Sequence, residues 1–185
     1  PNFTCLPTEN GEAGPHHQAT IHLGTERCEQ IHQAYIDAVT HNIPSKNPMI
    51  EMTIPSVLDP TLAPPGKHVA SLFCQYAPYA PNGNPWTEES RRDFAKSVFK
   101  TIEQYAPGFC DSILHVDILT PQDLEEVFGL PGGNIFHHSM SPDQIFWQRP
   151  VPGYSSHKTP ISSLYLCGSG THPGGGVMGA PGRHA

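Results

Sequence analysis

The sequence predicts an α+β fold: an antiparallel or mixed sheet with helices on one face, its elements arriving in the order β-α-β-β-α-β. Two observations carry this. Four short runs are rich in β-branched and apolar residues with strand-like alternation, and two longer stretches between them carry apolar residues at helical spacing. A third observation, the high count of 21 prolines and 17 glycines in 185 residues, predicts long irregular connections around that frame.

Residues 18–23 (QATIHL) alternate and read as the first strand. Residues 27–40 follow with Cys28, Ile31, Tyr35, Ala38 and Val39 on one helical face, and Thr25 is placed to cap them. Pro44 and Pro48 end that region. Residues 49–54 (MIEMTI) and 67–76 (KHVASLFCQY) are the second and third strands, joined by a proline-rich loop. Thr87, with Glu88, Glu89 and Ser90 behind it, is a helix start: a hydroxyl cap with acids at the positive end of the dipole. Phe94, Val98, Ile102 and Tyr105 then line one face until Pro107-Gly108 stops the helix. Residues 112–119 (SILHVDIL) are expected to be the fourth strand, and residues 121–128 a short acidic helix. The succession is the ferredoxin-like, split-βαβ one, which by itself carries no function.

Composition excludes several function classes. The net charge is −7 with only 10 Lys and Arg, too few to neutralise a nucleic-acid backbone or seek an anionic membrane surface. No apolar run approaches the length of a membrane span. The five cysteines are scattered and odd in number, without a CxxC pair, so reduced thiols in an intracellular compartment are expected rather than a disulfide framework. The chain opens at Pro1 and not at a methionine, which suggests a fragment or a processed product. Twelve histidines include the neighbours His16-His17 and His137-His138, but adjacent residues point apart on a helix or a strand, so no metal site is expected.

Beyond residue 120 the character changes. Residues 121–163 are loop-rich, aromatic (Phe136, Phe146, Trp147, Tyr154) and nearly uncharged, and such a segment needs something else to lean on. The aromatics are expected to pack in a core or a domain interface, with the lining of an apolar cavity as the alternative. Arg149, alone between Lys100 and Lys158, is expected to be semi-buried and paired. Cys167 is expected to be a buried small residue.

The run "LYLCGSGTHPGGGVMGAPG" closes the sequence: a strand-like tetrapeptide, then seven glycines among residues 168–182. Residues 174–179 satisfy G-x-G-x-x-G, but the strand ends well before Gly174 and no further strand follows, so they are not the opening fingerprint of a dinucleotide fold. There is no Gly-Lys-Ser/Thr for a Walker loop and no G-x-S-x-G for a serine nucleophile. Glycine lets a backbone approach a ligand with no Cβ between them. On spacing alone, a phosphate- or ribose-approaching loop and a plain glycine-rich turn stay equally open.

That run resembles the C-terminal FAD-contacting segment of the phytoene desaturase-like flavoproteins, in which a strand leads into Gly-x-Gly-Thr-His-Pro-Gly-x-Gly and a helix. The preceding "GGNIFHHSMSPDQIFWQRPVP" is similar to the same family, and "IPSVLDPTLAPPGKHVASLFCQYAPY" and "APGFCDSILHVDILTPQDLEEVFGLPGGNIFH" resemble one subgroup of it, so the likeness covers nearly the whole chain. It implies a split FAD-binding domain whose last strand, turn and helix return to the cofactor. Residues 1–120 would then be a substrate-domain portion and 164–185 a truncated FAD-contacting segment. By the same resemblance Gly168, Ser169 and Gly170 would lie near the pyrophosphate and ribityl chain, and Gly175, Gly176, Val177 and Met178 near the ribityl and isoalloxazine. It departs from the family's wider pattern in carrying Ser169 where many relatives have an acid, and in Pro181 and Gly182, which weaken the final helix.

The implied activity is hydride transfer from an apolar small-molecule substrate to flavin, with no catalytic residue assigned and the isolated chain inactive. The alternative is a non-enzymatic, partner-binding protein on the same architecture, as in the Rab GDP dissociation inhibitors. The resemblance places animal members in mitochondria and bacterial ones in the cytoplasm.

Overall fold

A computed structural model describes residues 1–8 and 12–185. The chain divides into two compact units, Pro1–Thr120 and Pro121–Ala185.

The first unit is α+β. Three strands, β1 (Ile21–Leu23), β2 (Met49–Thr53) and β3 (Ser71–Gln75), form an antiparallel sheet in the order β1-β2-β3. Register follows from which face is buried. Ile50 sits between Leu23 and Cys74, and Met52 between Ile21 and Leu72, so two apolar rows cross the sheet on one face. The opposite face carries the row His22, Glu51 and Phe73. The apolar rows pack on helix α2 (Glu88–Tyr105) through Val98 and Ile102, with Phe3, Ile54, Ala106 and Phe109 completing the cluster. Ile50, Met52 and Ile102 are wholly buried. Cys74 lies against this cluster, and burial pushes its thiol up to about 12.

Helix α2 starts as its sequence implies: the Ser90 amide donates to Thr87 Oγ1 at 3.1 Å, and the Thr87 amide to Ser90 Oγ at 2.9 Å. Helix α1 (Cys28–Val39) starts differently from expectation. Thr25 does not cap it; the Gln30 side chain accepts the Arg27 amide at 2.8 Å. Its inner face is small and polar, with Ala34, Ala38 and Asp37 buried. Asp37 is satisfied there by Gln33 Nε2 and the Lys46 amide.

The fourth strand does not form. Phe109–Ser112 is instead a single helical turn, α3, started by Gly108 at φ 84° and held by Glu103, whose carboxylate accepts the amides of Gly108 and Cys110. Residues 113–120 then run without helix, turn or bend and pair with no strand among the described residues. Strand propensity is expressed only where a neighbouring backbone supplies the ladder, and the antiparallel sheet of this unit ends at β1 and β3. The ferredoxin-like succession is therefore incomplete: the observed order is β-α-β-β-α.

The second unit holds α4 (Pro121–Phe128), a series of short 3-10 turns, and a five-residue helix α5 (Ala180–His184). The expected strand at 164–167 is reduced to one antiparallel bridge between Tyr165 and Lys158. No helix among the described residues is long and apolar enough to cross a membrane.

Candidate functional site

The glycine-rich turn of the second unit is built around Arg149. This side chain is 1 % exposed and, among the described residues, has no carboxylate partner. Among the described residues its guanidinium donates to main-chain carbonyls alone. Nε and Nη2 both reach Ser169 O, at 3.2 and 2.6 Å. Nη1 reaches Ser139 O and Gln144 O, and Nη2 also reaches Phe136 O. The planar fork thus ties residues 136–144 to the turn at 168–170. Burial lowers its pKa below the ordinary guanidinium value. The expectation of a semi-buried, paired Arg149 is corrected on both counts: it is fully buried, and backbone dipoles solvate it. The one legible sign was its isolation as a cation in a nearly uncharged stretch.

The turn closes on itself. The Thr171 amide and hydroxyl both donate to Gly168 O, at 3.1 and 2.9 Å, and the Gly174 amide donates to Thr171 O at 2.7 Å. Thr171 and Gly174 are buried. Gly174 has φ 105°, so the position favours glycine on conformational grounds, and a Cβ there would meet Met140 and Arg149 only at ordinary contact distance. A Cβ on Gly175 would stand 3.3 Å from Ser169 Oγ, so the Ser169 side chain lies close over the Gly175 backbone. His172 Nδ1 is buried with no partner.

The seven candidate residues fall into two sets. Ser169, Gly170 and Gly175 are half-buried next to the Arg149 clamp, and Gly168 is exposed at its edge. Gly176, Val177 and Met178 form an exposed loop ahead of α5, not the first turn of a helix. Val177 is fully exposed and has φ 54°, a left-handed conformation that β-branched residues rarely adopt. An apolar side chain held strained and in the open is the kind of outlier that accompanies a ligand contact. Among the described residues, no hydrogen bond takes the amides of Gly168, Ser169, Gly170, Gly175 or Gly176.

The expectations of a buried Cys167 and of a core role for the aromatics are corrected. Cys167 is exposed. Phe136, Phe146, Trp147 and Tyr154 are not core residues: their exposures run from 39 % at Tyr154 to 71 % at Trp147, and Phe146 stacks on Trp147 with ring centroids 5.9 Å apart. His137 and His138 are exposed. Among the described residues no three His, Cys, Asp or Glu side chains gather where they could hold a metal. His157, which sequence reasoning passed over, is buried with Nδ1 against Leu166 O at 3.1 Å, and it holds the 164–167 run in place.

In sequence the chain is similar to proteins named as oxidoreductases and phytoene desaturases. One relative it matches is pyridine nucleotide-disulfide oxidoreductase domain-containing protein 2. It is 57 % identical to the Rattus norvegicus protein over 187 aligned positions and 56 % identical to that of Mus musculus, in both cases across the whole of this chain. A phytoene desaturase (lycopene-forming) of Pseudescherichia vulneris is 33 % identical over 129 positions, covering 68 % of this chain and 25 % of that protein. The chain spans about a third of the length of the curated relatives it matches over its full extent, 32 % in each. No protein-family model matches it.

Proposed function

We propose that this chain is the C-terminal part of an FAD-dependent oxidoreductase that takes a hydride from an apolar small molecule, and that residues 168–178 are its contribution to the flavin site. The observation that carries the reading is the glycine turn itself. Five unpaired amides, a buried orphan nitrogen at His172 Nδ1 and an open, strained Val177 are grouped on a loop held rigid by Arg149. That donor set suits a polar chain such as a pyrophosphate or ribityl group, and the absence of Cβ atoms gives it access. The name phytoene desaturase denotes a hydrocarbon substrate, which supports the apolar assignment for this chain.

When bound, FAD would supply the redox chemistry as hydride acceptor. The chain's own residues bind, orient and exclude water. Ser169 and Gly170 would offer amides to the phosphate end, and the Gly170 amide is fixed in direction because Arg149 holds Ser169 O on the other side of the same peptide group. Gly175 and Gly176 would pass close to the ribityl chain. Val177 and Met178 would lay apolar surface against the ring and keep water from it. No proton-transferring side chain is assigned.

The test is the visible absorption spectrum of this chain alone, and of a polypeptide of the relatives' full length, before and after adding FAD. Flavin bands retained by the longer polypeptide and weakened by Arg149→Met or by Gly175→Val are the expected result. No flavin in either, with FAD in excess, overturns the reading and puts a partner-binding protein in its place.

A further inference from the structure

The stretch that failed to become a fourth strand has an unusual property: it reads almost the same in both directions. Around Val116 lie His115 and Asp117, then Leu114 and Ile118, then Ile113 and Leu119. Two copies laid antiparallel about Val116 would therefore set Ile113 opposite Leu119, Leu114 opposite Ile118, His115 opposite Asp117, and Val116 opposite itself. Residues directly opposite share a face of the ribbon. One face would be wholly apolar, built from Leu114, Val116 and Ile118. The other would carry His and Asp in two symmetric cross-strand pairs, flanked at its ends by Ile113 opposite Leu119.

The structure leaves this segment ready for that use. The backbone of 114–119 makes no hydrogen bond among the described residues. Leu114 is 74 % exposed and Leu119 57 %. His115 Nε2 and Asp117 Oδ1 lie 3.2 Å apart on the same side, as i and i+2 side chains do on an extended strand. Ile113 packs against the core of the first unit and anchors one end. An exposed, apolar, unpaired strand normally carries inward charges, prolines or a bulge to prevent edge-to-edge pairing; this one carries charges arranged to match its own copy.

We infer that residues 113–119 form a two-fold symmetric antiparallel ribbon with a second copy of this chain. The contact is isologous, so every residue is used on both sides and the assembly closes at two. Seven residues a side bury less area than a permanent interface, so the dimer is concentration-dependent.

The test is sedimentation of the 185-residue chain across a concentration series, with two sets of variants. His115→Asp places carboxylates opposite carboxylates at both symmetric pairs and should weaken the dimer about tenfold. The double swap His115→Asp with Asp117→His restores each opposite pair and should restore the dimer. Both side chains are at least 80 % exposed, so neither change threatens folding. Under mild oxidation Val116→Cys should cross-link in excess of the native cysteines, because it faces its own copy, and Leu114→Cys should not, because it faces Ile118 of the second copy. A chain that stays monomeric throughout, a double swap no better than the single change, or equal cross-linking at 114 and 116 overturns the inference. So does a Val116→Cys thiol that is protected by another segment in a longer polypeptide.

Discussion

The two units of this chain are held together by different forces. In the first, the core is apolar, its side chains converging from β1, β2, β3 and α2 on Ile50, Met52 and Ile102, while the buried polar groups His17 and Asp37 lie outside that cluster. In the second, among the described residues, no Leu, Ile, Val, Met or aromatic hydrocarbon ring is buried; the buried side chains are Arg149, His157, Thr171 and Pro181. Apolar burial is non-directional and stabilises in proportion to area. A buried guanidinium is the opposite. It adds little net stability once its desolvation is counted, but its donors have fixed directions, so it dictates where each bonded carbonyl must lie. The first unit has the construction of a stable support, and the second that of a shaped loop.

Four measurements break or sharpen that contrast. The largest effect is expected from Ile102→Ala. Ile102 is wholly buried at the centre of the sheet–helix contact, and truncation should cost about 3–5 kcal/mol in denaturant unfolding of residues 1–120. Arg149→Met comes next. Four main-chain carbonyls lose their donor, for roughly 2–3 kcal/mol, and amide exchange should rise across 136–174 while the first unit is unaltered. Arg149→Lys should recover little, because one ammonium cannot span four carbonyls. Equal loosening of both units by Arg149→Met would end the distinction drawn here.

Thr87→Ala removes the side-chain cap of α2 and should cost about 1 kcal/mol, read as a lower denaturation midpoint of the first unit alone. The smallest effect concerns pH. The amides of Cys110 and then Gly108 hold the Glu103 carboxyl below its ordinary value. A depressed folded-state pKa stabilises above the unfolded carboxylate value, about 4.3, and that contribution is lost as pH falls through the folded value. Glu103→Gln should therefore flatten the acid limb of the first unit's stability profile and leave the neutral plateau nearly unchanged. An identical acid limb in the variant would show that the α3 turn does not depend on this carboxylate.

Most of the first unit was legible residue by residue. The alternation in 49–54 and the Thr87–Ser90 start specify β2 and α2 through interactions that span a few residues. The same local reading failed at 112–119, where propensity was right and pairing was absent, because a ladder partner is a non-local fact. In the second unit the seven candidate glycine-turn residues could be pointed to from composition and from resemblance. Arg149 could not, because its partners are carbonyls 5 to 20 residues away and carbonyls carry no sequence signature.

The sequence by itself determined helices α1, α2 and α4, the three paired strands and the glycine run, since periodicity, caps and missing Cβ atoms are properties of adjacent residues. Only the tertiary structure decided that Arg149 is the centre of the second unit, that Val177 stands strained in the open, and that residues 113–119 are left unpaired. Each of these depends on which distant backbones meet, and main-chain hydrogen bonding is available to every residue alike, so no pattern of side chains encodes it.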